Sequence, residues 1–359
     1  MFEESIAVIN KGIGAAFPCA AVAVGVGYKV FAREFFGKRQ IYPTELNITE
    51  DTLFDMASLS KLIATTMIAL QFIEREKLFL DDSIGQYLEY SGNYSDCKII
   101  HLLTHTSGMP AGLPLFDMQH KKDDVLLSIL DSERHCVPGE QVIYSCMGFI
   151  VLQRILETIG ENSLDKLAQE YVFSPLGMKN TCYNPCIYND FLQVAATERY
   201  PHNGEWATGH VHDENSYFLG GISGNAGVFS TLDDMISFAG MCSSKGLTSD
   251  GKVYLSRGIF DMSVKNYTGD KKESRGLGFQ LKGSQDFPGG RYLSKGSFGH
   301  TGFTGTSFYV DNETGLWGIL LTNAVHYGRE NRSEYFTLRR AFYDTMVKEY
   351  DELMKSGAL

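Results

Sequence analysis

The chain has 359 residues, 43% of them hydrophobic and 21% charged, with a formal net charge of −11. That composition excludes a disordered chain, and the acidic balance excludes the electrostatic footprint needed for nucleic acid or an anionic membrane surface. The length supports a large core divided between two lobes.

Residues 1–5 are acidic and lack the positive region of a secretory signal, so a cytoplasmic location is expected; an extracytoplasmic one would imply that the chain has been trimmed. Residues 4–16 predict a short amphipathic helix with Ile6, Val8, Ile9 and Ile13 on one side. The uncharged run 12–28 contains Pro18 and several glycines, and reads as a turn and a strand rather than a transmembrane segment. Residues 20–28 and 30–36 predict two strands joined as a hairpin at Gly27-Tyr28-Lys29. Phe54 ends the loop leading to Asp55-Met56-Ala57-Ser58-Leu59-Ser60-Lys61, after which residues 62–73 are apolar on nearly every side, the mark of a buried helix.

The middle of the chain is mostly helical in pattern. Asp81-Asp82 are expected to cap a short helix reaching Leu88. Residues 99–104 start another, halted by Ser107-Gly108-Met109-Pro110. Asp123–Leu130 and Met147–Ile159 are amphipathic, and residues 163–171 open on a serine cap and end before Pro175-Leu176-Gly177. From Gly220 to Gly227 the sequence is glycine-dense, and Thr231-Leu232-Asp233-Asp234 predict the cap of a helix to about Cys242. Three β-like runs follow at 278–282, 306–310 and 316–322, the last two joined by a turn at Asp311-Asn312 and Gly315. A long helix over about 333–354 closes the chain. Its Arg339-Arg340, Glu349, Asp351 and Glu352 read as a solvated face over the sheet.

Strands at both ends and helices between them predict an α+β fold, with one antiparallel sheet built from both termini and flanked by helices. The expected lobes are a discontinuous sheet lobe, 1–57 with 217–359, and a mainly helical inserted lobe, 58–216. The active site is expected in the cleft between them.

Seven scattered cysteines read as free thiols rather than a disulfide scaffold. Cys182 and Cys186 flank Asn184-Pro185 without a second ligand pair, and His210-Val211-His212-Asp213 reads better as a pocket wall or solvated turn than as metal ligands. No metal or cofactor is expected, and no nucleic-acid partner.

Ser-x-x-Lys occurs four times, at Ser58/Lys61, Ser95/Lys98, Ser163/Lys166 and Ser249/Lys252. Only Ser58 opens a buried helix, where i,i+3 spacing puts serine and lysine on one face and desolvation favours the neutral amine. A neutral amine beside a hydroxyl is a general base beside a nucleophile. The alternative is that Ser58 merely caps the helix while Lys61 snorkels to solvent. Two further stretches carry candidate chemistry: Tyr144-Ser145-Cys146-Met147-Gly148 before an apolar helix, and Gly299-His300-Thr301-Gly302-Phe303, whose glycines let a ligand approach the backbone.

Together these three motifs, in this order, resemble the serine β-lactamase and penicillin-binding-protein superfamily, in its class C β-lactamase-like, DD-peptidase and esterase branch, where Ser-x-x-Lys, Tyr-x-Asn and Lys- or His-Thr-Gly follow one another at long intervals. Residues 102–110, the loop 220–231 and Leu320-Leu321-Thr322-Asn323 look like the same family. The resemblance implies a β-lactamase-like fold and an acyl-enzyme on Ser58, with Lys61 taking its proton and Tyr144 relaying it to the leaving group. It also implies an oxyanion hole from the N–H groups of Ser58 and Phe303, with His300, Thr301 and Gly302 along the substrate. Two positions depart from the pattern. Cys146 stands where asparagine is usual, and His300 where lactamases have lysine, so efficient β-lactamase activity is not expected. The implied substrate is a D-amino-acid peptide of the peptidoglycan type, an amide or a β-lactam. The rivals are a carboxylesterase of the same fold and a penicillin-binding or sensor module with little turnover.

Overall fold

The computed structural model describes the whole chain except residues 117–124, 186–192, 201–203, 284–286 and 331. Asp123 and Cys186 therefore lie outside the described residues.

Helix α1 (Glu3–Asn10) is shorter than its apolar periodicity predicts, because the chain doubles back at Gly12. The Gly12 carbonyl accepts from the N–H groups of Ala15, Ala16 and Phe17, and the Phe17 ring lies so close that a Cβ on Gly12 would meet it at 2.5 Å. The hairpin of β1 (Cys19–Val26) and β2 (Lys29–Gln40) follows, closing at the Val26–Lys29 pair as expected. Short strands β3 (Leu46–Asn47) and β4 (Phe54–Asp55) lead to a helical run that is π-helical over Lys61–Thr66 and becomes α2 over Met67–Glu74.

In the middle of the chain, Asp81 and Asp82 do not cap a helix to Leu88. The element is a single 3-10 turn, Ile84–Gln86, capped by Ser83 Oγ, while Asp81 pairs with Lys98 and Asp82 accepts from the Phe79 N–H. Helices α3 (Ile99–Leu103), α4 (Val125–Leu130) and α5 (Cys146–Gly160) lie where the pattern put them. At α6 (Leu164–Ala168) Ser163 occupies the cap position without a side-chain bond; the Leu164 N–H goes instead to Glu157 at 3.0 Å. Strand β5 (Cys182–Tyr183), helix α7 (Glu214–Phe218), strand β6 (Val228–Ser230) and helices α8 (Leu232–Ser243) and α9 (Arg257–Ser263) come next.

The last strands are β7 (Gln280–Leu281), β8 (Phe298–Thr301), β9 (Ser307–Val310) and β10 (Leu316–Thr322), before the closing helix α10 (Ser333–Ser356). Strand β8 is only weakly marked in the local pattern, because Gly299 and His300 separate its two strand-forming residues, Phe298 and Thr301. It forms because β9 supplies its ladder, from Phe298↔Val310 to Thr301↔Ser307.

The main sheet runs β3-β2-β1-β10-β9-β8-β7, antiparallel throughout, so strands from the two ends of the sequence meet at its centre. Alternation sorts the side chains. Ala21, Ala23, Ile319 and Leu321 face one core with Met235 and Phe238 of α8, while Val22, Val24 and Leu320 face another with Ile9 of α1 and Phe342 and Met346 of α10. A second sheet, β4-β6-β5, holds the segment that precedes Ser58. This is the expected α+β architecture. Among the described residues, no helix is long and apolar enough to cross a membrane.

Helix α1 has no side-chain cap of its own; Glu349 of α10 supplies one, its two carboxylate oxygens accepting from the N–H groups of Glu4 and Ser5 at 2.9 Å each. Removing it by Glu349→Ala is expected to lower the unfolding free energy by about 1–2 kcal/mol, the usual worth of a helix cap, read from the urea midpoint at unchanged m.

Candidate active site

The segment before Ser58 is held from several directions. β4 pairs with β6, the Met56 N–H donates to the Val228 carbonyl at 2.9 Å, and the buried Asp55 carboxylate accepts from the N–H groups of Ala57 (2.8 Å) and His212 (2.7 Å). Burial pushes the Asp55 carboxyl up from its ordinary value, and those two bonds pull against it. Ala57 is thereby kept at φ +45, a left-handed conformation that costs an alanine roughly 1–2 kcal/mol. The chain turns sharply there and presents Ser58 at the head of the buried helix.

Lys61 is completely buried. Its Nζ donates to Ser58 Oγ at 3.1 Å, to the Asn225 carbonyl at 2.9 Å and to Cys146 Sγ at 3.4 Å, and lies 5.1 Å from the Tyr144 ring centroid. Burial, the largest single influence, drives the ammonium down; Cys146, Tyr144 and Asp213 draw it up and together outweigh burial, so the balance lies above the ordinary lysine value. The Asn225 carbonyl arrives in the glycine-dense loop expected from the sequence. Gly224 in that loop rests on α5, where a Cβ would meet the Phe149 carbonyl at 2.1 Å.

Tyr144 precedes α5, whose cap is Ser145. The Tyr144 hydroxyl is buried without a hydrogen-bond partner among the described residues, and its ring stands against His105 (4.4 Å) and His300 (5.7 Å). The Ser145 N–H donates to His105 Nδ1 at 3.1 Å, so the proton of that ring sits on Nε2. Burial, reinforced by the charges of Arg275 and Lys61, holds His105 well below the usual histidine range.

His300 is also neutral. Its Nδ1 donates to the Thr301 carbonyl at 2.8 Å, leaving Nε2 to accept from Arg275 Nη1 at 3.4 Å. Burial and then the Arg275 charge pull His300 from 6.5 down to about 3. The permanent cation at this edge of the site is therefore Arg275, buried, its Nε and Nη2 both bonded to Glu273. Sequence reading missed it.

Beyond β8 the chain turns through Gly302-Phe303-Thr304. Thr304 Oγ1 donates to the Asp55 carbonyl at 2.7 Å and Thr306 Oγ1 to the Met56 carbonyl at 3.2 Å. A Cβ on Gly302 would lie 2.5 Å from that Met56 oxygen, so only glycine lets the turn sit against the residues preceding Ser58. Neither the Ser58 nor the Phe303 N–H donates to a protein group among the described residues. Phe303 is 48% exposed and stacks on His212, which pairs with Glu198 at 2.8 Å.

A cavity of about 310 Å³ collects Ser58, Tyr144, His300, Thr301, Gly302 and Phe303, with Lys61 and Cys146 behind Ser58 rather than in the lining. The same cavity is lined by Arg275, Arg332 and Arg339. Arg339, expected on a solvated helix face, is instead 6% exposed, because that face of α10 packs over the rim of the site. Arg340 beside it is exposed, as expected. The His210-His212-Asp213 group does not converge. His212 is engaged as above, Asp213 caps α7, and His210 packs on Tyr217. Among the described residues no three His, Cys, Asp or Glu side chains are grouped to hold a metal.

A family model described as Beta-lactamase matches residues 7–341. An Escherichia coli O157:H7 protein provisionally named a D-alanyl-D-alanine carboxypeptidase is 26% identical over 359 residues, spanning 89% of this chain and 81% of its own. The N-acetylmuramyl-L-alanine amidase of Bacillus subtilis strain 168 is 26% identical over 358 residues, spanning 89% and 80%. Among solved structures, EstCE1, described as a hydrolase with promiscuous acyltransferase activity, superposes with a TM-score of 0.78 at 19% identity, covering 96% of this chain and 98% of that one. At that identity the likeness speaks for the fold alone.

Two buried neutral histidines make stability depend on pH. His300 binds fewer protons folded than unfolded between its ordinary 6.5 and about 3, so stability is lost as pH falls through that window. At pH 5 the loss from this residue is about 2 kcal/mol, and His300→Gln is expected to flatten the acid limb of a melting-temperature profile. An unchanged limb would show that His300 titrates normally.

Proposed function

We propose that this chain, which belongs to the Beta-lactamase family, is a serine hydrolase working through an acyl-enzyme on Ser58, and that its substrate is a D-amino-acid peptide or related amide with a free carboxylate. One observation carries the reading: a fully buried lysine amine is hydrogen-bonded at 3.1 Å to a serine hydroxyl that lines a cavity. In this reading residues 1–57 and 217–359 form the sheet lobe, 58–216 the helical lobe, and the site occupies the cleft between them.

In the acylation step, neutral Lys61 takes the Ser58 proton as Oγ attacks the scissile carbonyl carbon, and the carbonyl electrons move to oxygen. The N–H groups of Ser58 and Phe303 stabilise that oxyanion. When the C–N bond breaks, its electron pair takes the proton that Lys61 passes on through the Tyr144 hydroxyl, releasing the amine. Water then attacks the ester carbon and gives its proton through Tyr144 to Lys61; as the ester C–O bond breaks, Lys61 passes that proton to Ser58 Oγ, which leaves as the neutral hydroxyl. Cys146 holds the amine from behind.

Substrate preference follows from charge. Neutral His300 supplies none, so Arg275 and the Thr301 hydroxyl are assigned to the substrate carboxylate, with His300 orienting Arg275. A buried arginine at the reacting site favours a peptide over a neutral ester, and the carboxypeptidase and amidase names of the two relatives agree with that preference. The rival, a carboxylesterase of the same fold, draws on a different observation: Cys146 engages Lys61 through sulfur and offers the acyl group no amide.

Ser58→Ala and Lys61→Met are each expected to reduce release of D-alanine from a D-alanyl-D-alanine peptide, and hydrolysis of a p-nitrophenyl ester, by 10³-fold or more, with the penicilloyl mass adduct absent from Ser58→Ala. Full turnover by Ser58→Ala would overturn the mechanism. Turnover of esters with no D-alanine release would transfer the conclusion to the carboxylesterase.

A further inference from the structure

Three arginines and one glutamate line the cavity at Ser58, in a chain whose net charge is −11. Arg275 is held by Glu273 through Nε and Nη2, with Nη1 toward His300. Arg332 and Arg339 are 9% and 6% exposed, and neither forms an ion pair among the described residues; Arg339 has the Tyr335 side chain within hydrogen-bonding reach. The neighbouring carboxylates are already engaged, Glu273 by Arg275 and Glu198 by His212 and Arg329. Instead the two guanidinium groups lie on aromatic faces. Arg332 Cζ is 4.9 Å from the Phe303 ring, 5.1 Å from Tyr335 and 5.4 Å from Phe336; Arg339 Cζ is 5.4 Å from Tyr335 and 5.3 Å from Phe336. Arg332 Nε and Arg339 Nε are both buried without an acceptor among the described residues. Buried donors are almost always satisfied, so two such guanidinium groups lining one cavity leave room there for an acceptor. Burial pushes the Arg332 guanidinium down from its ordinary value, Tyr335 pulls it up and the like charge of Arg339 works with burial.

We propose that Arg332 and Arg339, stacked on Phe303, Tyr335 and Phe336, form a second anion-binding subsite in the Ser58 cavity, so that the substrate carries two acidic groups, one for Arg275 and one for this pair. The subsite takes an oxyanion, carboxylate or phosphate, attached to the reacting molecule. Aromatic stacking fixes the guanidinium planes and leaves their N–H edges for bidentate bonding. This deepens the hydrolase reading and rests on it for the identity of the reacting molecule, whereas anion binding itself does not.

The test compares mono-p-nitrophenyl glutarate with neutral p-nitrophenyl pentanoate, and titrates inorganic phosphate and glutarate into the Ser58→Ala chain by calorimetry. In the unmutated chain the charged ester is expected to have the higher kcat/KM, with phosphate competing against it at matched ionic strength. Arg332→Met and Arg339→Met keep an apolar stem on the aromatic rings and are expected to lower the charged-to-neutral kcat/KM ratio at least tenfold. Arg332→Lys is expected to restore part of it. Phosphate or glutarate binding, whichever the calorimetry finds tighter, identifies the oxyanion class and is expected to be lost when both arginines are replaced in the Ser58→Ala background. An unchanged ratio in well-folded Met variants, together with phosphate and glutarate binding that the double substitution leaves unchanged in the Ser58→Ala background, overturns the proposal. Should those variants not fold, absence of phosphate and glutarate binding to Ser58→Ala at tens of millimolar overturns it. If the unmutated chain turns over neither ester yet Ser58→Ala binds an anion that the doubly substituted chain does not, the subsite stands and the hydrolase reading falls.

Discussion

A lysine amine cannot enter a protein interior unless its nitrogen and polar hydrogens find hydrogen-bond partners. Lys61 finds them in Ser58, Cys146 and Asn225, and each belongs to a different part of the chain: the head of its own helix, the start of α5, and the glycine-dense loop. That requirement ties the three segments together. The loop must lie flat enough to offer a backbone carbonyl, which is why Gly224 contacts the Phe149 carbonyl so closely, and Thr65 Oγ1 adds a second tie to the loop at 2.8 Å. The π-helical stretch begins at Lys61 itself, a local widening of the kind that gathers at functional positions.

The electrostatics of the site follow from what surrounds that amine. The buried Asp55 spends both oxygens on backbone N–H groups behind Ser58, and the carboxylate that draws on the lysine is Asp213, which caps α7. Two histidines that would add positive charge in water are kept neutral by burial and by the cations beside them. The field within the cavity is thus set by guanidinium groups, whose charge is insensitive to pH.

Much of the architecture was legible in the sequence because it is written locally. The hairpin, β10, the buried helix and α10 each announce themselves through periodicity or turn residues, and Ser58/Lys61 stood out from three other pairs by the apolar run behind it. What stayed hidden was set by distant partners. Strand β8 owes its form to β9. Arg275 follows Lys271-Lys272-Glu273-Ser274, a polar stretch that looks like any solvated turn until α5 and β8 close over it. Arg339 lies in a helix rich in charges on all sides, and nothing in its neighbours' spacing says which turn meets the rim of the cavity. His105 fell within residues 102–110, flagged for their family likeness, but its stacking on Tyr144 depends on a left-handed turn, φ +56, that no residue type there betrays.

The pairing of β1 with β10 joins Ala20 to Thr322 and Val26 to Leu316, roughly 300 residues apart along the chain. Such non-local closure is entropically late, because helices with near neighbours form before distant strands find one another. The turn carrying Gly302 and Phe303 follows directly on β8 and is tied to Met56 through Thr306. One wall of the Ser58 cavity therefore comes from the end of the sequence, and a chain truncated before β8 would lack that wall while keeping Ser58 and Lys61 on their own helix.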